Sequence, residues 1–127
     1  MKILTVDDSM TARLIVKKTV EGDGHTVVEA ADGQQAIDKL AAEAGSGAPV
    51  EAVILDWNMP VMNGLECLKK IRADSAYQAL KVIMCTTEAE KTSIVTAIQA
   101  GANGYVLKPV SPDVLLKALH KAVGAAA

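Results

Sequence analysis

The feature that most constrains this chain is a fivefold alternation of short apolar runs with longer stretches of helical periodicity. Each run predicts a β-strand, and each periodic stretch predicts an α-helix. The predicted strands are Ile3–Val6, His25–Glu29, Ala52–Leu55, Lys81–Cys85 and Gly104–Leu107. Their apolar residues are continuous rather than alternating, which is typical of parallel strands covered on both faces. We therefore predict an α/β fold, a five-stranded parallel sheet with helices on both faces.

The helical stretches place apolar residues three and four positions apart, as on one face of a helix. The first helix is predicted from about Met10 to Glu21 with Ser9 as its cap, and its Met10, Leu14 and Ile15 share a face. The other helices carry the apolar sets Ala36, Ile37 and Leu40; Leu65, Leu68 and Ile71; Ile94, Ala97 and Ile98; and Val114, Leu115 and Leu119.

Length and composition indicate one globular domain. The chain has 127 residues, of which 50% are hydrophobic, and this favours a packed core over disorder. We expect residues 1–124 to form the domain and the alanines at 125–127 to be a frayed tail. The formal net charge is −2 and no basic block occurs, which argues against DNA binding, because that requires clustered Lys and Arg.

No apolar run is long enough for a transmembrane helix, and acidic residues follow the amino terminus too closely for a secretory signal. Cys67 and Cys85 have no CxxC spacing, so we interpret them as reduced, mostly buried thiols of a cytoplasmic protein. His25 and His120 also lack metal-ligand spacing, and we interpret both as structural or solvent-facing.

Polar side chains follow four of the five predicted strands. Strand one leads to Asp7 and Asp8, strand three to Asp56, strand four to Thr86 and strand five to Lys108. Ligands of parallel α/β sheets bind outside the carboxyl ends of the strands, where these side chains can converge. Each residue alone could be a helix cap or a turn residue, but four strand ends with complementary chemistry favour one site.

That site has the chemistry of phosphoryl transfer. Three neighbouring carboxylates repel one another unless a cation joins them, and Mg²⁺ is the simplest hard cation with oxygen ligands. Lys108 adds a positive charge and Thr86 a hydroxyl for the phosphoryl oxygens. A carboxylate can itself accept a phosphoryl group, and Asp56 at the end of the middle strand is the central candidate.

These residues resemble a known family. The motifs VDDS at 6–9, LDWNMPVMNG at 55–64, CTTE at 85–88 and GANGYVLKP at 101–109 are similar to those of CheY-like receiver domains of two-component response regulators. The resemblance covers nearly the whole chain. It implies the flavodoxin-like strand order 2-1-3-4-5.

The resemblance also implies roles for the acidic residues. Asp56 corresponds to the phosphoacceptor, and Asp8, Asp56 and the backbone carbonyl of Asn58 correspond to the Mg²⁺ ligands. Asp7 corresponds to a residue that holds the metal site through water or a neighbouring contact. The bond between Lys108 and the following proline is expected to be cis.

The switch residues follow in the same way. Lys108 would pair with a phosphoryl oxygen, Thr86 would move to bond another, and Tyr105 corresponds to the aromatic that turns inward when Thr86 moves. The surface that changes would bind the downstream partner. It would include Ala89, Lys91, Tyr105, Leu107, Val110, Lys117 and Lys121.

Four positions bear on how this member of the family would behave. Asn58 and Glu88 occupy the two positions that tune the lifetime of the phosphate, in a combination seen in chemotaxis regulators that lose it quickly. Thr87 departs from the smaller residue that family members often carry, and its bulk could restrict access to the site. Val110 replaces a residue that is commonly aromatic.

We therefore expect a stand-alone receiver that is phosphorylated by a histidine kinase and is not an enzyme with a separate substrate. It would promote its own phosphorylation and dephosphorylation, act as a cytoplasmic monomer without DNA or membrane, and signal to a flagellar motor switch protein. The alternative within this class is a phosphorelay intermediate that passes the phosphate to a histidine phosphotransfer protein.

Two other classes were weighed. A flavodoxin-like electron carrier needs a phosphate loop after strand one and aromatics around a flavin, but the chain has aspartates there and no Phe. A phosphohydrolase of the haloacid dehalogenase type needs an acidic residue two positions after its nucleophile, where this chain has Asn58.

Overall fold

The computed structural model describes residues 1–124 and confirms the fivefold β–α alternation. The strands are β1 Lys2–Val6, β2 Thr26–Ala30, β3 Ala52–Leu55, β4 Lys81–Thr86 and β5 Gly104–Leu107. The helices are α1 Met10–Gly22, α2 Gly33–Ala44, α3 Gly64–Ala73, α4 Lys91–Gln99 and α5 Pro112–Val123, with one 3₁₀ turn at Ser75–Tyr77. The predicted alanine tail lies outside the described residues.

All strand pairs are parallel, and the strand order β2-β1-β3-β4-β5 is the one that the resemblance implied. The predicted strand bounds agree with the structure to within one residue at every end. β2 begins at Thr26 and includes Ala30, and β4 extends to Thr86, which pairs with Leu107 of β5. Thr86 is therefore the last residue of its strand and is held by the sheet.

The helices cover both faces of the sheet, as predicted, and form two separate cores. One core contains buried side chains of α2, α3 and α4, and the other contains those of α1 and α5. The largest fully buried side chains come from the strands as well as the helices, which is expected when both faces of a parallel sheet are covered. The predicted cysteine burial is confirmed, because Cys67 and Cys85 are both buried and free.

The face of α1 that faces the sheet differs from the face that the periodicity marked. Met10, Leu14 and Ile15 are 75%, 46% and 45% exposed, whereas Val16 and Val20 are buried. α1 has apolar residues on more than one side, and only the contact with the sheet decides which side is covered. Apolar spacing alone cannot make that choice.

Within residues 1–124, no helix is both long enough and apolar enough to span a membrane.

Candidate functional site

Backbone hydrogen bonds extend the sheet far enough to fix the first residues after the strands. The Asp7 amide donates to the Ala30 carbonyl at 3.1 Å, and the Asp56 amide donates to the Val6 carbonyl at 2.9 Å. The Lys108 amide donates to the carbonyl of Thr86 at 2.9 Å in the same way. These side chains consequently start from the rigid carboxyl-terminal end of the sheet rather than from flexible loops.

The carboxylates converge as the sequence predicted. Oxygen atoms of Asp7, Asp8 and Asp56 all lie within 4.8 Å of one another. Asp7 and Asp56 are 5% and 6% exposed, whereas Asp8 is exposed to solvent. Two buried carboxylates and one exposed carboxylate therefore form a pocket that is open on the side of Asp8.

Lys108 neutralises part of this charge. Its Nζ donates to Asp7 Oδ2 at 2.5 Å and lies 3.3 Å from Asp56 Oδ2. Burial lowers the pKa of Lys108, but the hydrogen bond to Asp7 and the charges of Asp56 and Asp7 outweigh it and raise the pKa. The ammonium is thus kept charged between the two buried carboxylates.

Asp56 remains under electrostatic pressure despite this lysine. Burial and the charge of Asp7 raise the pKa of Asp56, and Lys108, the Thr86 hydroxyl and the Trp57 amide only partly oppose them. The Trp57 amide donates to Asp56 Oδ1 at 2.8 Å. One ammonium is not enough positive charge for three carboxylates, so the site favours a further cation.

The turn after Asp56 requires glycine at position 64. A Cβ at Gly64 would lie 2.0 Å from the backbone oxygen of Asp56, and the Gly64 amide donates to the Trp57 carbonyl at 2.8 Å. Asn63 caps α3, because its side-chain oxygen accepts from the Glu66 amide at 2.9 Å. In return, Glu66 Oε1 accepts from the Asn63 amide at 3.2 Å, which completes a capping box. The Asn-Gly pair thereby folds the chain closely around the Asp56 backbone.

Glu88 connects the acidic pocket with β5 through the loop after β4. Its amide donates to Thr86 Oγ1 at 3.3 Å, and its carbonyl accepts from the Tyr105 hydroxyl at 2.7 Å. Its side chain accepts from Asn58 Nδ2 at 3.1 Å. The two positions that the resemblance linked to phosphate lifetime are therefore in direct contact, and Thr86 and Tyr105 bond to the same residue.

The hydroxyl of the half-buried Tyr105 is positioned by its hydrogen bond to the Glu88 carbonyl of this loop. Burial, followed by the charges of Glu88 and Asp56, raises the pKa of Tyr105 and keeps its hydroxyl protonated as a donor. Thr86 is fully buried. A change at the Thr86 hydroxyl can therefore reach Tyr105 through a single loop residue.

One contributor that the sequence analysis did not single out is Arg13 in the second turn of α1. Its Nη1 donates to the Asp7 carbonyl at 2.6 Å, and its Nε donates to Glu29 Oε1 at 3.2 Å. Arg13 ties the strand end of β1 to that of β2. An arginine on a predicted helix surface carries no sequence signal for such a contact.

The other predicted features have mixed outcomes. The Lys108–Pro109 peptide bond is cis, as the resemblance implied. His25 and His120, which lack metal-ligand spacing in the sequence, are both partly buried, and both rings contact the carboxylate of Asp23 near the amino-terminal end of β2.

The donor set at the acidic pocket suits a hard divalent cation. All three ligand side chains are carboxylates, and Mg²⁺ binds oxygen ligands and retains part of its water. Asp8, on the exposed side, leaves room for such waters. The arrangement of acid, ammonium and hydroxyl is also what a phosphoryl group requires.

The family model of the response regulator receiver domain matches residues 3–120. The chain belongs to this family. As a receiver domain it is 46% identical over 125 residues to a chemotaxis protein CheY homolog of Campylobacter jejuni, with 98% of this chain and 93% of the relative covered. The flavodoxin-like and haloacid dehalogenase hypotheses are not favoured by this membership.

Solved structures give the same result. Chemotaxis protein CheY4 of Vibrio cholerae is similar with a TM-score of 0.83 and 38% identity, covering 95% of this chain and 97% of that one. A CheX–CheY–BeF₃–Mg²⁺ complex of Borrelia burgdorferi has a TM-score of 0.86 and 26% identity, covering 94% of this chain and 87% of that one. The receiver domain is thus homologous to chemotaxis response regulators of the CheY type.

Proposed function

We propose that this receiver domain accepts a phosphoryl group on Asp56 from a phosphohistidine of a histidine kinase. The observation that carries the proposal is the convergence of three carboxylates within 4.8 Å, with the ammonium of Lys108 in contact with two of them. A carboxylate oxygen of Asp56 attacks the phosphorus, the P–N bond breaks, and the imidazole leaves. The product is an acyl phosphate on Asp56.

The proposal assigns a Mg²⁺ site to the carboxylates of Asp8 and Asp56 and the backbone carbonyl of Asn58. Asp7, whose Oδ2 already accepts from Lys108 and whose Oδ1 accepts from the Ser9 amide, holds the site through its neighbours. When bound, the cation neutralises charge on the phosphoryl oxygens and on the carboxylates. Support comes from the all-oxygen donor set and from the Mg²⁺ in the Borrelia complex.

Lys108 and Thr86 then hold the transferred group. The Lys108 ammonium, 3.3 Å from Asp56 Oδ2, needs little movement to reach a phosphoryl oxygen on that residue. The hydroxyl of Thr86, which accepts from the Glu88 amide, can donate to another oxygen. Added negative charge of nearly two units draws both groups toward Asp56.

The change is passed to a protein-binding surface on α4, β5 and α5. Thr86 and Tyr105 share the loop residue Glu88, so movement of the threonine alters the environment of the tyrosine. Exposed apolar side chains occur on all three elements, and they are Val95, Ile98, Leu107 and Val114. In our proposal these side chains contribute the apolar contacts to the partner.

We assign this switch to chemotaxis, acting as a cytoplasmic monomer on a flagellar motor switch protein. The CheY-type relatives, which the chain matches over nearly its full length, support this assignment. The protein is a phosphoacceptor that promotes its own phosphorylation and dephosphorylation rather than an enzyme with a separate substrate. The contact between Asn58 and Glu88 at the mouth of the site bears on the dephosphorylation rate, as does the bulk of the adjacent Thr87.

The first test uses Trp57, the only tryptophan of the chain, which adjoins Asp56. We expect saturable quenching of its fluorescence by Mg²⁺ and a further change when acetyl phosphate or beryllofluoride is added. Asp56→Asn abolishes the second change and prevents the mass increase of phosphorylation, whereas Asp38→Asn on the exposed face of α2 leaves both intact. Phosphorylation of Asp56→Asn to the wild-type extent would refute the assignment.

The second test separates the two partners. Beryllofluoride-treated protein is expected to bind a flagellar motor switch protein more tightly than untreated protein does. Tyr105→Ala and Leu107→Ala should weaken that binding without changing phosphorylation of Asp56. Transfer of the phosphate to a histidine phosphotransfer protein, without binding to the switch protein, would favour the phosphorelay role instead.

A further inference from the structure

Asp23, His25 and His120 form a second polar cluster, which lies at the edge of the sheet opposite the acidic pocket. Asp23 follows α1, His25 directly precedes β2, and His120 lies in the last turn of α5. The acidic pocket lies at the carboxyl-terminal ends of the parallel strands, whereas this cluster lies at the amino-terminal end of β2. A parallel strand of five residues is about 16 Å long, so the two places share no ligands.

Both imidazoles converge on a single oxygen atom. His25 Nε2 lies 3.0 Å and His120 Nε2 lies 2.6 Å from Asp23 Oδ2. One potential ligand atom from each of the three residues falls within 4.8 Å of the others. A metal bound at about 2.1 Å to each ligand would separate adjacent ligand atoms by about 3.0 Å in octahedral and about 3.4 Å in tetrahedral geometry. The two nitrogen-to-oxygen separations, 3.0 and 2.6 Å, lie within about 0.4 Å of the octahedral value.

The cluster is built into the fold rather than formed by mobile surface side chains. The His25 amide donates to the Val20 carbonyl at 3.2 Å, and the Asp23 amide donates to the same carbonyl at 3.1 Å. The His25 side chain is 15% exposed, that of Asp23 25%, and that of His120 36%. The site is therefore partly buried but still reachable from solvent.

One further feature favours a cation at this place. The carboxyl-terminal ends of α1 and α5 meet here, as the contact between His120 and Asp23 shows, and each helix end carries the partial negative charge of the helix dipole. The position of the His25 ring is also fixed at its other nitrogen, because Nδ1 lies 3.1 Å from the amino-terminal nitrogen of Met1. The second ring nitrogen of a metal-ligating histidine typically donates a hydrogen bond, and the Met1 amine accepts that bond in its neutral form.

We propose that Asp23, His25 and His120 bind a divalent transition-metal ion, Zn²⁺ or Co²⁺, at the end of the domain opposite the phosphoacceptor site. Without the metal, each Nε2 carries a proton and donates to Asp23 Oδ2. On binding, each ring changes tautomer by exchange with water, so that the proton leaves Nε2 and Nδ1 carries one, and the Met1 ammonium that faces His25 Nδ1 releases one proton to solvent. Both neutral Nε2 atoms and the carboxylate are then ligands, and water completes the coordination. Imidazole nitrogens select such ions over Mg²⁺, which prefers oxygen.

The test is a Co²⁺ titration of the whole protein in a large excess of Mg²⁺, followed by the visible absorption of bound cobalt. We expect one Co²⁺ per chain, displaced by one equivalent of Zn²⁺. His120→Gln and Asp23→Asn should each weaken binding by at least about tenfold, because even contacts behind a ligand change metal affinity by about 10–100-fold. Asp56→Asn should bind Co²⁺ as the wild type does.

Three results would overturn the proposal. They are equal binding by the wild type, His120→Gln and Asp23→Asn; loss of binding in Asp56→Asn alone; and sulfur-to-cobalt absorption, which would place the ion on a cysteine. Circular dichroism shows whether each variant is folded, and His25→Gln provides a third ligand variant on a different element. The outcome is independent of the phosphorylation test, since that test reads Trp57 and Asp56 at the other edge of the sheet.

Discussion

Replacement of Asp56 by asparagine is expected to stabilise the metal-free protein at neutral pH. Asp56 faces the carboxylate of Asp7 within 4.8 Å, which at an effective dielectric constant of 20 is a repulsion of at least about 3.5 kcal/mol. The exposed Asp8 adds about 1 kcal/mol at the dielectric constant of water. Attraction to the Lys108 ammonium at 3.3 Å offsets this repulsion by about 5 kcal/mol at an effective dielectric constant of 20.

These charge interactions nearly cancel, so the burial of the Asp56 carboxylate decides the sign. Burial penalises the charged form, which agrees with the raised pKa of Asp56. Because asparagine removes the buried charge and keeps an acceptor for the Trp57 amide, the free energy of unfolding should rise by about 1–2 kcal/mol. In a domain of this size that corresponds to about 4 °C of Tm per kcal/mol.

The pH dependence of stability tests the same reasoning independently. Since the pKa of Asp56 is raised in the folded state, the charged Asp56 destabilises the folded protein fully at pH values above that folded pKa. The penalty disappears as the pH falls toward the ordinary value of 3.8. Urea unfolding with EDTA, followed by circular dichroism from pH 7.5 to pH 4.5, should show the gain of Asp56→Asn shrink with falling pH.

Two controls make the experiment decisive. Asp38→Asn, on the exposed face of α2, should change the unfolding free energy by less than about 0.5 kcal/mol at every pH. Addition of Mg²⁺ should narrow the gap between wild type and Asp56→Asn, because a ligand of the native state stabilises it. A loss of stability in Asp56→Asn at pH 7.5 without metal, or a gain that does not vary with pH, would refute the reasoning.

Three further variants test the turn between Asp56 and α3, each by urea unfolding. Gly64→Ala should lower the free energy of unfolding by more than about 2 kcal/mol, because its Cβ would lie 2.0 Å from the Asp56 backbone oxygen. Gly22→Ala, with open space around it, should not lower the free energy of unfolding. Equal effects of the two substitutions would contradict the close approach at Gly64. Val61→Asn should raise the free energy of unfolding by about 1 kcal/mol. Val61 is 81% exposed and has a φ of 66°, which asparagine tolerates better than a β-branched residue does. An unchanged urea midpoint would show that the valine is not strained. Asn63→Ala should lose about 1 kcal/mol with its cap on α3, and Asn63→Ser should recover most of it.

The candidate site could be predicted from the sequence because parallel topology does most of the positioning. Once five strands are recognised as parallel, the residues after them lie at one edge, and Asp7, Asp56 and Lys108 follow from counting along the chain. The Asn63-Gly64 pair at the start of α3 likewise indicates a helix start from its residue types alone. The roles of these residues in phosphoryl transfer stay predictions until the experiments above are done.

Contacts between side chains of separate loops could not be predicted in this way. Glu88 bonds to Thr86, Tyr105 and Asn58, which come from different elements, and no spacing in the sequence joins them. Arg13 looks like an ordinary helix-surface residue until α1 is packed beside β1 and β2. Such hydrogen bonds require atoms to be placed to within a few tenths of an ångström, and only the packed structure sets those positions.

By itself the sequence determined the α/β class, the five strands and their polar ends, because apolar periodicity is a local property and a helix between successive strands favours parallel pairing. Only the tertiary structure decided which side of α1 is covered, since Met10 and Leu14 are as apolar as the buried Val16 and Val20. It also decided that His25 and His120 share one carboxylate. Burial and convergence are relations between distant segments, and they exist only once the chain is packed.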